Sequence, residues 1–114
     1  MEARRVSLST HVLDTAHGRP AAGLALTLVA GKQTLFSGTT DADGRCPALR
    51  DLALDAGTYR LSFAVADYFR RQGIALPDPP FLDVVSIDFG IDGHAHYHVP
   101  LLVSPFSYST YRGS

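Results

Sequence analysis

The apolar residues of this chain recur at every second position, and that spacing constrains its fold more than any other feature. In VSLSTHVLD, Val6, Leu8 and Val12 fall on one side of an extended chain, while Ser7, Ser9 and His11 fall on the other. GLALTLVAG repeats the pattern with Leu24, Leu26 and Leu28, and TLFSGTT continues as a partner strand after a Gly31–Lys32 turn. In GTYRLSFAVAD the inward face is Tyr59, Leu61, Phe63 and Val65. FLDVVSIDFGI sets Phe81, Val85, Ile87 and Phe89 against Leu82 and Val84, and HYHVPLLVS and FSYSTYR supply the last two runs.

Turn chemistry separates these runs. His17-Gly18-Arg19-Pro20, Asp43-Gly44, Ala56-Gly57 and Asp92-Gly93 are turn signals, and Pro77, Pro79 and Pro80 break the chain before the long strand. One stretch departs from the β pattern: DYFRRQG reads as a short helix capped by Asp67 and stopped by Gly73. Seven or eight short strands, with turns every ~8–12 residues, predict an all-β antiparallel sandwich. At 114 residues the chain is a single domain, residues 1–114, large enough for one real core.

Charge and composition exclude several classes of function. A formal net charge of −1 with no basic stripe argues against nucleic-acid binding. No apolar run approaches the roughly 20 residues that span a bilayer, so no membrane partner is expected. MEARRVSLST carries two arginines but no apolar stretch behind them, so it does not read as a secretory signal. A single cysteine, Cys46, excludes an internal disulfide framework and fits a reducing compartment, so cytoplasm is the expected location.

HAHYHVP places His94, His96 and His98 on alternate positions, opposite an apolar face of Ala95, Tyr97, Val99 and Leu101. Such a row suits a metal site, an acid–base site or a solvated or partner-facing strand. A metal needs three or four ligands in closed geometry, or three plus an open position, and no carboxylate or cysteine follows at ligand-like spacing. DADG, residues 41–44, is not a calcium loop. With Gly44 as the loop's sixth residue, Arg50 takes the place that requires a bidentate glutamate. It reads as a tight turn projecting Arg45. There is no G-x-S-x-G elbow for a serine hydrolase. Cys46 has no histidine set beside it by the sequence and reads as a small buried hydrophobe. The ending YSTYRGS, rich in hydroxyls and closing on Tyr111, Arg112 and Ser114, reads as a terminus ordered because it lines something.

Three of these stretches together resemble one family. STHVLDTAHGRPAAG, TDADGR and HYHVPLLVSPFSYSTYRGS are similar to the transthyretin-like 5-hydroxyisourate hydrolases, and the resemblance spans essentially the whole chain. Its most specific part is the terminal YRGS, which those hydrolases carry and the hormone-carrying transthyretins lack. His11, Arg45 and His98 match the other hydrolase markers. The resemblance implies a transthyretin-like two-sheet β-sandwich with one short helix, assembled as a homotetramer, a dimer of dimers around a central channel. It implies hydrolysis of 5-hydroxyisourate to 2-oxo-4-hydroxy-4-carboxy-5-ureidoimidazoline, with no metal and no organic cofactor.

Those residue types suit that chemistry. Opening a ring amide requires a proton to leave water and another to reach the departing nitrogen, and histidine titrates where it can serve both purposes. His11 and His98 are therefore the expected acid–base pair. Arg45 offers a planar fork of donors to carbonyl oxygens where negative charge grows. Tyr111 and Ser114, with the terminal carboxylate close by, are expected to bind and orient the substrate ring, Ser114 as part of the catalytic set. His94 receives no role, and His96 is either an orienting neighbour or a polar interface residue. The competing reading is a transthyretin-like carrier that holds a ligand without turning it over.

Overall fold

The computed structural model describes residues 6–93 and 95–113. It contains strands β1 (Leu8–Ser9), β2 (Val12–Asp14), β3 (Arg19–Pro20), β4 (Ala25–Ala30), β5 (Gln33–Thr39) and β6 (Gly57–Ala64). Helix α1 (Val65–Arg71) follows, then β7 (Val84–Ile91), β8 (Tyr97–His98), β9 (Leu101–Val103) and β10 (Tyr108–Thr110), with a short 3-10 helix over Pro47–Asp51 between β5 and β6. One four-stranded sheet runs β5-β4-β6-β7 and is antiparallel throughout. The second runs β10-β9-β2-β3, with antiparallel outer pairs and a parallel central pair, β2–β9.

The parallel pairing continues into β1–β8 without a change of register: Leu8 faces Tyr97, Ser9 faces His98 and Val12 faces Leu101. The N–H groups of Tyr97, Val99 and Leu101 donate to the carbonyls of Ser7, Ser9 and His11 at 3.0, 2.9 and 3.0 Å. Pro100 falls on the alternate phase of this ladder, where an N–H would point away from β1 and β2. Its missing donor therefore costs the pair nothing.

Between the sheets lies one continuous core. Leu8, Val12, Leu101 and Val103 from one layer meet Leu26, Leu28, Leu61 and Phe63 from the other, all essentially inaccessible. Each such side chain contributes roughly 1.5–3 kcal/mol by leaving water. The alternation read from the sequence holds along β1, β2, β4 and β6. Cys46 is buried in this core, as its reading as a small hydrophobe required.

Three local expectations are corrected. The helix starts at Val65, not at Asp67, and its N-cap residue Ala64 makes no side-chain cap. The N–H groups of Val65 and Ala66 instead donate to the Asp83 carbonyl at 3.1 and 3.0 Å. A seven-residue helix is too short to sustain itself, so tertiary contacts through buried Val65, Ala66, Tyr68 and Phe69 decide its start. Gly73, at φ +85°, ends the turn that follows it, within the expected stop. The long strand begins at Val84, which leaves Phe81 outside it and 70% exposed, with its ring 6.3 Å from that of Phe106. Ala95 does not join the apolar face: it is exposed at φ +64°, so strand alternation begins only after it.

Candidate active site

Arg45 is placed by a loop closed by its own hydrogen bonds. The Asp41 carboxylate accepts from the N–H groups of Asp43 and Arg45 at 2.9 and 3.0 Å. The N–H of Gly44 donates to the Asp41 carbonyl at 2.9 Å, and that of Asp41 to the Arg45 carbonyl at 2.7 Å. Gly44 sits at φ +75° against β2, where a Cβ would overlap the Val12 carbonyl oxygen. Only glycine lets the loop approach so closely. The Val12 N–H donates to the Gly44 carbonyl at 2.8 Å, and Arg45 then pairs antiparallel with His11 as an isolated bridge. TDADGR is thus a device for pairing an exposed arginine with the backbone of His11.

His98 arrives from the other direction. Its neighbours Tyr97 and Val99 are buried, so His98 takes the outer, half-buried face, the one shared by Ser7, Ser9 and His11. Ser9 Oγ lies 2.7 Å from His98 Nδ1 and 2.8 Å from His96 Nε2, and Ser7 Oγ lies 2.6 Å from His96 Nδ1. His98 Nε2 has no hydrogen-bond partner among the described residues. Burial first, then the charge of Arg45, then His11 and His96, hold the His98 imidazolium form down, so the ring's pKa lies below the ordinary histidine value. His96 is lowered by burial and by Arg50.

The tail closes over His98. The Gly113 N–H donates to the His98 carbonyl at 2.7 Å, and a Cβ on Gly113 would come within 2.6 Å of His98 Cδ2. The Arg112 guanidinium carbon stands 3.9 Å from the centre of the Tyr97 ring, a cation–π contact that anchors the same segment. Tyr111 is 60% exposed and lies with Arg112 along a groove bordered by Ile87, Phe89, Tyr97 and Val99. It makes no hydrogen bond or ring contact with His11, Arg45 or His98. Ser114 and His94 lie outside the described residues.

The structure brings His11, Arg45 and His98 together with Gly113 of the terminal segment, while Tyr111 stands at the margin. The reading of the sequence did not single out Ser7, Ser9 and Gly113. The serines were visible on the face of His11, but their contact with His96 and His98 depends on a register between segments far apart in the chain. Burial, opposed by a Leu49 backbone contact and reinforced by Asp41, pushes the Cys46 thiol pKa up, which disfavours the thiolate a nucleophile needs. Both ring nitrogens of His96 are taken by serines, and no three His, Cys, Asp or Glu side chains among the described residues group as a metal would require.

Comparison with known proteins identifies relatives of this chain and of its fold. The 5-hydroxyisourate hydrolase of Ralstonia nicotianae is 58% identical over 114 residues, covering 94% of this chain and 97% of that protein. The structure of Klebsiella pneumoniae 5-hydroxyisourate hydrolase superposes with a TM-score of 0.85 at 38% identity, covering 96% of this chain and 99% of that one. Sea bream transthyretin in complex with thyroxine superposes at 0.82 with 34% identity, covering 94% of each chain. The family model described as "HIUase/Transthyretin family" matches residues 8–113. By sequence, fold and the matched span, this chain is a member of the HIUase/Transthyretin family.

Proposed function

We propose that this protein hydrolyses 5-hydroxyisourate to 2-oxo-4-hydroxy-4-carboxy-5-ureidoimidazoline, using water activated by histidine. The observation that carries the reading is the convergence of His11, Arg45 and His98 on one polar face, with His98 kept neutral beside a guanidinium. A neutral imidazole with a free Nε2 can take a proton from water, which an imidazolium cannot. Arg45 supplies donors to the oxygen on which negative charge develops. His11 is the second acid–base group, and Tyr111 and Ser114 orient the ring. The names of close relatives support the substrate.

The scheme calls on no metal and no organic cofactor: water, His98, His11 and Arg45 supply its proton transfers and its charge stabilisation. The assembly is a homotetramer, a reading supported by the exposed apolar side chains Phe81, Val84 and Phe106. The single buried thiol supports a reducing, cytoplasmic setting. The test is the absorbance decay of freshly generated 5-hydroxyisourate with and without the protein. Catalysed decay supports the hydrolase. Saturable ligand binding without accelerated decay identifies a carrier instead.

A further inference from the structure

Ser7, His96, Ser9 and His98 form an unbroken row of three short contacts, 2.6, 2.8 and 2.7 Å, along the shared face of β1 and β8. Each contact can hold one proton, and a hydroxyl has only one to give. If Ser9 donates to His98 Nδ1, it must accept from His96 Nε2, and His96 Nδ1 must accept from Ser7. His98 then carries its proton on Nε2. With every bond reversed, His98 carries the proton on Nδ1 and Nε2 is bare. A third arrangement, in which Ser9 accepts from both rings, also keeps them neutral but gives them opposite tautomers; only the first two let protons pass along the whole row.

We propose that this row is a proton wire that switches His98 between base and acid, with Ser9 and His96 as positioning residues behind it; the proposal rests on the hydrolase reading. In the first half of the cycle, Nε2 takes a proton from water as the water oxygen bonds to the ring carbonyl carbon. The Nδ1 proton passes to Ser9, the Ser9 proton to His96 Nε2, the His96 Nδ1 proton to Ser7, and the Ser7 proton to solvent, which reaches this half-exposed residue. In the second half, the Nε2 proton passes through His11, which faces His98 electrostatically, to the nitrogen whose bond to carbon breaks. One proton enters at Ser7 from solvent, and the row returns to its starting order. Protons balance over the cycle, and neither histidine becomes a cation. That matters because Arg45 and His11 act on His98, and Arg50 on His96, to disfavour positive charge.

The test has two arms. In wild-type protein labelled with 15N-histidine, long-range nitrogen–proton NMR at neutral pH should show His96 and His98 neutral. Both should carry the proton on the same ring position, Nε2 in both or Nδ1 in both. Opposite tautomers, or a cationic ring, would overturn the wire whatever the substrate is. In the kinetic arm, Ser9→Ala should lower kcat by about tenfold or more with KM within about twofold, because the substrate contacts remain. Ser9→Thr, which keeps the hydroxyl, should recover most of the loss. An Ala variant with wild-type kcat, or a Thr variant as impaired as Ala, would also overturn it. If the wild type leaves 5-hydroxyisourate untouched, the hydrolase reading fails separately, and the NMR arm still reports on the row.

Discussion

Gly113 is clamped against His98: its N–H donates to the His98 carbonyl at 2.7 Å, and its α-carbon leaves no space for a methyl group beside the imidazole. Gly113 therefore fixes the position of the imidazole proposed above as the reacting ring.

The first prediction concerns that clamp. Gly113→Ala must displace either the tail or the His98 ring, since the added carbon would sit 2.6 Å from Cδ2 and 3.2 Å from Cγ. A misplacement near 1 Å is enough to cost about 10²-fold in rate. Hydrolysis should fall by that order while the melting temperature changes little, because Gly113 carries no side chain into the core. Wild-type turnover in this variant would show that the clamp does not matter for catalysis.

Replacing His11 or His98 with Asn should lower turnover by about 10²–10⁴ each. Both lie on the outer face, so thermal unfolding should stay close to wild type. The pH profile follows from the sign of the shift. His98 is held below the ordinary histidine value, so its base form persists through neutral pH and is lost only as the medium becomes more acidic than that value. The rate should therefore fall on the acid side, and the fall should begin at lower pH than for an unperturbed imidazole. In Arg45→Gln, which removes one cause of the lowering, the acid limb should move to higher pH.

Arg45→Lys keeps a positive charge but loses the planar fork. If orientation at the substrate oxygen matters, lysine should restore only part of the activity that Arg45→Ala loses. Full rescue by lysine, measured as kcat/KM, would reduce the role of Arg45 to charge alone.

Acid stability should depend on a site remote from catalysis. Asp14 is fully buried and accepts from Tyr68 Oη at 2.8 Å and from the His17 N–H at 3.0 Å, and it contacts the His17 ring at 2.6 Å. Burial alone would raise its pKa, but these bonds outweigh burial and leave it lowered. A lowered carboxylate pKa stabilises the fold above the unfolded-state value, and that stability is lost as pH falls through the folded value. Tyr68→Phe removes one of the compensating bonds at a cost of about 1–3 kcal/mol. Its acid unfolding midpoint should move to higher pH, as followed by circular dichroism. An unchanged midpoint would mean that the tyrosine hydroxyl does not hold Asp14.

The strands and their inward faces were legible because period two survives wherever a sheet has one buried face. Leu8, Leu26, Leu61 and Phe63 are all where alternation puts them. The local failures differ in kind. Val65 follows the strand pattern in sequence but is held at the start of α1 by the Asp83 carbonyl, a contact from elsewhere in the chain, and Ala95 looks inward by phase but sits in a left-handed turn. The site divides the same way. His11, Arg45 and His98 could be named as a set because the family resemblance marks them. Gly113 and Ser9 act through position, and position depends on pairing.

Ser9 and His98 are 89 residues apart in the chain, yet they face each other in a parallel register that no hairpin can nucleate. Such a contact forms only after a long stretch of backbone has been ordered, so it adds to contact order and slows folding. The first half of the proposed reaction centre is thus synthesised early and waits for the second. Until the segment from His96 to Gly113 has emerged and docked beside β1, a growing chain presents the serine face with nothing to work on. Activity here is a late event in the life of the molecule.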